Sequence, residues 1–214
     1  MKAEPLEFPR GVRYPTTDEI PDGAPSDAAA RVIDAHITPV TTGYVRIDRE
    51  DATGYSAVVE ANVQPADLWR VFQSLVVALL PEVAAPIAGA IDEEPLLGTY
   101  TSRDEALAVL APYAEPLVHD GFLEFGCMFQ LRGVTEEVFV PSAKFIRIWT
   151  NYPERAEVVL EAAGIPSVHN LRFIDEFPLV REAQTFAGQT SGWFTVLEAL
   201  RVAFAALPPA ESKD

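Results

Sequence analysis

Residues Phe122 to Trp149, FLEFGCMFQLRGVTEEVFVPSAKFIRIW, form three runs of alternating apolar and polar side chains separated by two turn signals. Side chains alternate between the two faces of a strand, so this pattern predicts a three-stranded antiparallel meander over about 122–150. Gly133-Val134, with glycine first, fits a two-residue type II′ connection. That turn places Arg132 opposite Thr135, Phe129 opposite Val138 and Cys127 opposite Val140. A second turn at Pro141-Ser142-Ala143 places Phe139 opposite Phe145 and Glu137 opposite Arg147.

The two faces follow from the alternation. Leu123, Phe125, Cys127, Phe129, Leu131, Val138, Val140, Ile146 and Ile148 share one face, which is expected to be core. The other face is mixed, with Glu124, Met128, Gln130, Arg132, Glu137, Phe139, Phe145, Arg147 and Trp149. Gln130, Glu137 and Arg147 fall in one row flanked by Phe139, Phe145 and Trp149, and these six are the candidate binding residues. A plain structural account is a second face under a helix or loop, with a Glu137–Arg147 cross-strand pair worth ~0.2–1 kcal/mol. The functional account is a pocket floor or partner surface, because recognition surfaces favour aromatics beside arginine.

Charge and cysteine narrow the function classes. The chain has 32 acidic and 16 basic residues among 214, a net charge of −16. The excess argues against nucleic acid, whose phosphates need Lys and Arg, and against anionic membrane surfaces. It suits a basic protein partner, and it equally suits solubility alone. Cys127 is the single cysteine, so the chain has no internal disulfide and no cysteine metal cluster. Its place on the core face predicts a buried, unreactive thiol. The N-terminal MKAEPLEFPR has no apolar signal region, and Leu75 to Ile91 is interrupted by Pro81, Glu82 and Pro86. A cytoplasmic protein is expected. Abundant Arg, Ala and Pro hint at a GC-rich bacterial source.

Along the chain, residues 1–28 read as an extended proline-rich arm, 29–207 as one α+β domain and 208–214 as a tail. Ile33, Ala35 and Ile37 alternate with Asp34, His36 and Thr38, which predicts a strand; further strands are expected at Tyr44–Asp48 and Tyr55–Gln64. Pro65 opens a helix with a stripe of Leu68, Phe72, Leu75, Val76 and Leu79. Pro86 and Gly89 limit the next stretch to broken helix, and a short strand is expected within Leu96–Thr101. Ser102 and Glu105 form a capping box for a helix to about Ala111. After the meander, Pro153 starts a helix, Leu171–Ile174 reads as a strand, and a last helix spans about Gly192–Leu207. Antiparallel hairpins with segregated helices predict an α+β fold, with helices on one face of an antiparallel sheet.

No catalytic set emerges. Asp34 and His36 would share a strand face, yet no third ligand of HExxH or Cys/His spacing accompanies them. His119-Asp120-Gly121 reads as a turn. Gly188-Gln189-Thr190-Ser191-Gly192 has Thr where a nucleophile elbow needs Ser, and Thr190 or Ser191 serves better as a helix N-cap. Asp92-Glu93-Glu94 reads as a solvated acidic loop ahead of a divalent-cation site, Asp175-Glu176 as a strand exit ahead of an acid/base pair, and phosphate-binding glycine loops are absent. No metal or cofactor is expected. The leading expectation is a non-catalytic protein that binds a protein partner, of the general type of small inhibitors and antitoxins. The alternatives are a small-molecule enzyme or ligand-binding domain using Glu137, Arg147 and Trp149, and an oligomerising structural protein.

Overall fold

A computed structural model describes residues 3–184 and 192–210. In chain order the elements are β1 (Val12–Arg13), α1 (Ala28–Ile37), β2 (Gly43–Asp48), β3 (Ala57–Asn62), α2 (Pro65–Leu79), β4 (Val83–Ala90), β5 (Leu96–Leu97) and β6 (Thr101–Ser102). They continue with α3 (Arg103–Leu110), α4 (Ala114–His119), β7 (Leu123–Leu131), β8 (Val134–Val140), β9 (Ile146–Thr150), α5 (Pro153–Ala162), β10 (Val180–Arg181) and α6 (Trp193–Ala205). The fold is α+β. One antiparallel sheet runs in the order β2-β3-β9-β8-β7-β4-β5, with β6 also paired to β4, and β1 pairs with β10 outside it.

The core lies on the first face of this sheet. Leu123, Phe125, Cys127, Val138, Val140, Ile146 and Ile148 are buried there, under Leu68, Phe72, Leu75, Leu110, Leu117, Leu160 and Leu200 from α2 to α6. Phe129 is half-buried against this core, and Leu131 lies in the open at the strand end. The helices start where local chemistry requires. Pro65 and Pro153 occupy the first turns of α2 and α5, where a missing N–H leaves no bond unmade. The Ser102 side chain accepts from Glu105 N, and the Glu105 carboxylate accepts from Ser102 N, closing the expected box at α3.

The hairpin register differs from expectation by two residues. Arg132 and Gly133 form the turn, both with positive φ (50° and 80°), a type I′ rather than a type II′ connection. Phe129 therefore pairs with Glu136 and Cys127 with Val138. On the other side Lys144 (φ 62°) lengthens the second turn, so Glu137 pairs with Trp149 and Phe139 with Arg147. A slip of two preserves every side chain's face while changing every partner.

Three other expectations are corrected. Residues 28–37 are helical, not a strand: the Ala-Ala-Ala-Arg start favours helix, and Val32 and Ala35 are its buried residues at i, i+3 spacing. Asp34 and His36 consequently share no face; Asp34 Oδ1 accepts from Thr38 Oγ1, and His36 Nε2 donates to the Pro15 carbonyl. Residues 83–90 are strand β4, not broken helix. Its Pro86 carbonyl accepts from Gly98 N, so its nitrogen faces the gap between β5 and β6, where no ladder bond is lost. Residues 171–174 are not a strand but lead irregularly into a 3-10 turn, Ile174–Glu176. The residues Gly188 to Ser191, with the suggested caps Thr190 and Ser191, lie outside the described residues.

A second, smaller core occupies one end of the opposite sheet face. The arm contributes Leu6, Phe8, Val12 and Tyr14, and the segment 168–179 contributes Leu171, Phe173, Ile174 and Phe177, over Phe145 and Val45. The sheet contacts are clamped by backbone bonds from Leu6 N to Val40 O and from Gly11 N to His119 O. Lys144 is buried at this end; its Nζ donates to the carbonyls of Leu117 (2.8 Å) and Leu123, tying the second turn to the exit of α4.

Candidate functional site

The remainder of the second face is open only in that no helix among the described residues covers it; its central side chains are half-buried, and those of Val58, Ala85 and Ile87 are buried. Among the described residues α2 to α6 pack on the first face and α1 joins the smaller core, so no helix crosses this half. Two cross-strand rows build it. One runs Ala85–Met128–Glu137–Trp149–Val58–Ile47, and the other Ile87–Gly126–Phe139–Arg147–Glu60–Val45. Gly126 has no side chain, and the Phe139 ring lies so close that an added Cβ would stand 2.9 Å from it. The Phe139 ring thus lies low against the sheet.

Arg147 is the best-held polar group on this face. Its Nε donates to Glu60 Oε1 at 2.6 Å, with Glu60 more buried than the arginine. The guanidinium also sits 5.0 Å from the Phe145 ring centroid and 5.8 Å from that of Trp149, a cation held between two rings. The expected Glu137–Arg147 pair is therefore corrected to Glu60–Arg147: β9 is flanked by β3 as well as β8, and Arg147 turns toward β3. Glu137 forms no hydrogen bond or ion pair among the described residues, and desolvation raises its carboxyl above the ordinary value. Asp175, carried over the face by the smaller core, is raised by desolvation and drawn down by Arg147, with Glu60 close enough to oppose that pull.

The six candidate residues thus divide. Glu137, Phe139, Arg147 and Trp149 come together, half-buried, at the centre of the open half. Phe145 is buried beneath Phe173 at 4.9 Å between ring centroids and reaches the site only through Arg147. Gln130 is exposed at the hairpin end, opposite Thr135, with its backbone bonded to the Tyr100 hydroxyl. Sequence reasoning missed Glu60 and placed Asp175 at a strand exit, whereas it lies in the 3-10 turn Ile174–Glu176. Glu60 carries a signal, a lone acid within the apolar AVVEAN run, but Asp175 arrives by a long-range fold that no local pattern announces.

A cleft of about 600 Å³, lined by Glu82, Ser102, Asp104, Glu105 and residues 208–210, lies elsewhere and shares no residue with this face. Among the described residues no three His, Cys, Asp or Glu side chains are placed to hold a metal ion, and no helix is long and apolar enough to cross a membrane. Comparison with protein families, with characterised proteins and with solved structures finds no match to this chain.

Proposed function

We propose that the chain is a non-catalytic binding protein that recognises a basic protein partner through the open half of its second sheet face. The observation that carries this reading is the composition of that face. Around the half-buried rings of Phe139 and Trp149, among the described residues, the carboxylates of Glu60, Glu137 and Asp175 gather about the guanidinium of Arg147. In a chain of net charge −16 such a face attracts cationic surfaces from a distance and offers aromatic anchors on contact. The acids and the arginine are spread over a sheet surface, and among the described residues no nucleophile on it is paired with a base. Inhibition or neutralisation of the partner in the cytoplasm, where a single buried thiol stays reduced, fits this role.

The test uses the native chain and Trp149→Ala as baits in lysate of the source cell, at low and high salt. A captured protein is identified, purified and titrated calorimetrically against both baits. The expected result is a basic partner whose affinity falls about tenfold from low to high salt and at least about tenfold in Trp149→Ala. Recovery of no partner, or of one indifferent to salt and to Trp149→Ala, would overturn the proposal.

A further inference from the structure

The open face contains its own example of how it holds a cation. Arg147 lies between the rings of Phe145 and Trp149, and its carboxylate, Glu60, accepts from Nε at 2.6 Å. Glu137 repeats the carboxylate half of that arrangement. It stands directly across from Trp149 and two residues along β8 from Phe139, on the same face, so a carboxylate is again flanked by two rings. The guanidinium is missing. Arg147, diagonal to Glu137 across the strand pair, is already engaged by Glu60, and no other cationic side chain among the described residues pairs with Glu137.

We infer that Glu137, with Phe139 and Trp149, seats a single arginine side chain of the partner; this deepens the reading above and rests on it. A planar guanidinium can lie on an aromatic ring while presenting two parallel N–H groups to a carboxylate. An ammonium is a compact, strongly hydrated charge and gains less from the rings. The cost of leaving Glu137 desolvated and unpaired in the free protein is released when the arginine arrives. The other carboxylates of the face keep an anionic ligand away: Glu60 and Asp175 flank Arg147, so its own charge is already answered.

The test is a nuclear magnetic resonance titration of the folded chain with blocked single amino acids: N-acetyl-arginine amide, the lysine equivalent and the neutral citrulline equivalent. The readout is the indole N–H signal of Trp149, assigned by its loss in Trp149→Phe. The arginine probe is expected to shift that signal with a half-saturation at least about threefold lower than the lysine probe, with citrulline inert. Glu137→Gln, whose remaining spectrum shows the fold retained, is expected to weaken the arginine response at least about tenfold. An equal response to citrulline, or an unchanged response in Glu137→Gln, overturns the seat. The purified partner separates the two claims. A basic partner whose affinity Glu137→Gln leaves unchanged upholds the protein-binding reading and overturns the seat. An arginine response in a chain that captures no basic protein upholds the seat and overturns the protein-binding reading.

Discussion

At the scale of single residues, the buried Lys144 and the half-buried Glu137 contribute to the pH dependence of stability with opposite signs. Burial pushes the Lys144 pKa down to about 7, against the pull of Asp120 and Glu124. The unfolded chain holds that proton to a pH of about 10.4. Between these limits the native state binds fewer protons than the unfolded state, so this residue makes stability rise with pH across that window and adds no slope below it. Lys144→Met removes the contribution. Denaturant melts at pH 7 and 9.5 should show the native chain gaining roughly 2–3 kcal/mol on Lys144→Met over that interval. Glu137 works the other way. Its carboxyl is raised by desolvation, so the native state binds more protons just above the ordinary carboxylate range, and stability is lost as pH rises through it. Glu137→Gln should therefore be the more stable protein at pH 7, by under about 1 kcal/mol, with the advantage gone near pH 4. A variant that is steadier but binds worse is what a residue kept for recognition produces. The chemistry of Cys127 is legible from its neighbours: it is fully buried, with its thiol pushed up by desolvation. That of Lys144 is not, since nothing in PSAKF shows that the lysine turns inward to two carbonyls.

At the scale of elements, the strand faces could be read from alternation, whereas the partners across strands could not. Two-residue loops at Arg132-Gly133 and at Gly133-Val134 differ in register by two, and both leave Glu137, Arg147 and Trp149 on one face. The competing signals were a glycine suited to the first position of a type II′ turn and to the second of a type I′ turn; the latter prevails with Arg132 at φ 50°. The pairing can be checked energetically. Arg147→Ala strips Glu60 of its charged donor and of a guanidinium held over Phe145, and is expected to cost about 1.5–3 kcal/mol. Double-mutant cycles should give a coupling of about 1–2 kcal/mol between Arg147 and Glu60, and close to zero between Arg147 and Glu137. Equal couplings would mean that Arg147 divides its time between the two carboxylates. The helix α1 was hidden for a related reason. A short run that places apolar residues at both i+2 and i+3 satisfies both periods, and helix propensity with tertiary contact decides between them.

At the scale of the whole molecule, the α+β class and the helix-covered face follow from the sequence, because hairpins and amphipathic stripes are local patterns. The smaller core does not, because it joins chain segments far apart, as in the pairing of Val12 with Arg181. That pairing depends on a crossing of backbones. A Cβ on Gly121 would lie 2.1 Å from Gly11 O, an oxygen that accepts from Glu182 N while Gly11 N donates to His119 O. Gly121→Ala must therefore push the arm away, since the clash is with backbone and no flexible side chain can yield. The arm carries Leu6, Phe8, Val12 and Tyr14 out of the smaller core with it, uncovering Phe145 and Phe173. A loss of about 2–4 kcal/mol is expected, in the range of large core truncations. Limited proteolysis should show new early cleavage within residues 3–27, ahead of any cut in the sheet. The consequence reaches the open face, because Phe145 is one of the two rings that hold Arg147. A melt with an unchanged midpoint and no early cleavage in the arm would show that the arm is not part of the cooperative fold, and that Arg147 is positioned without it.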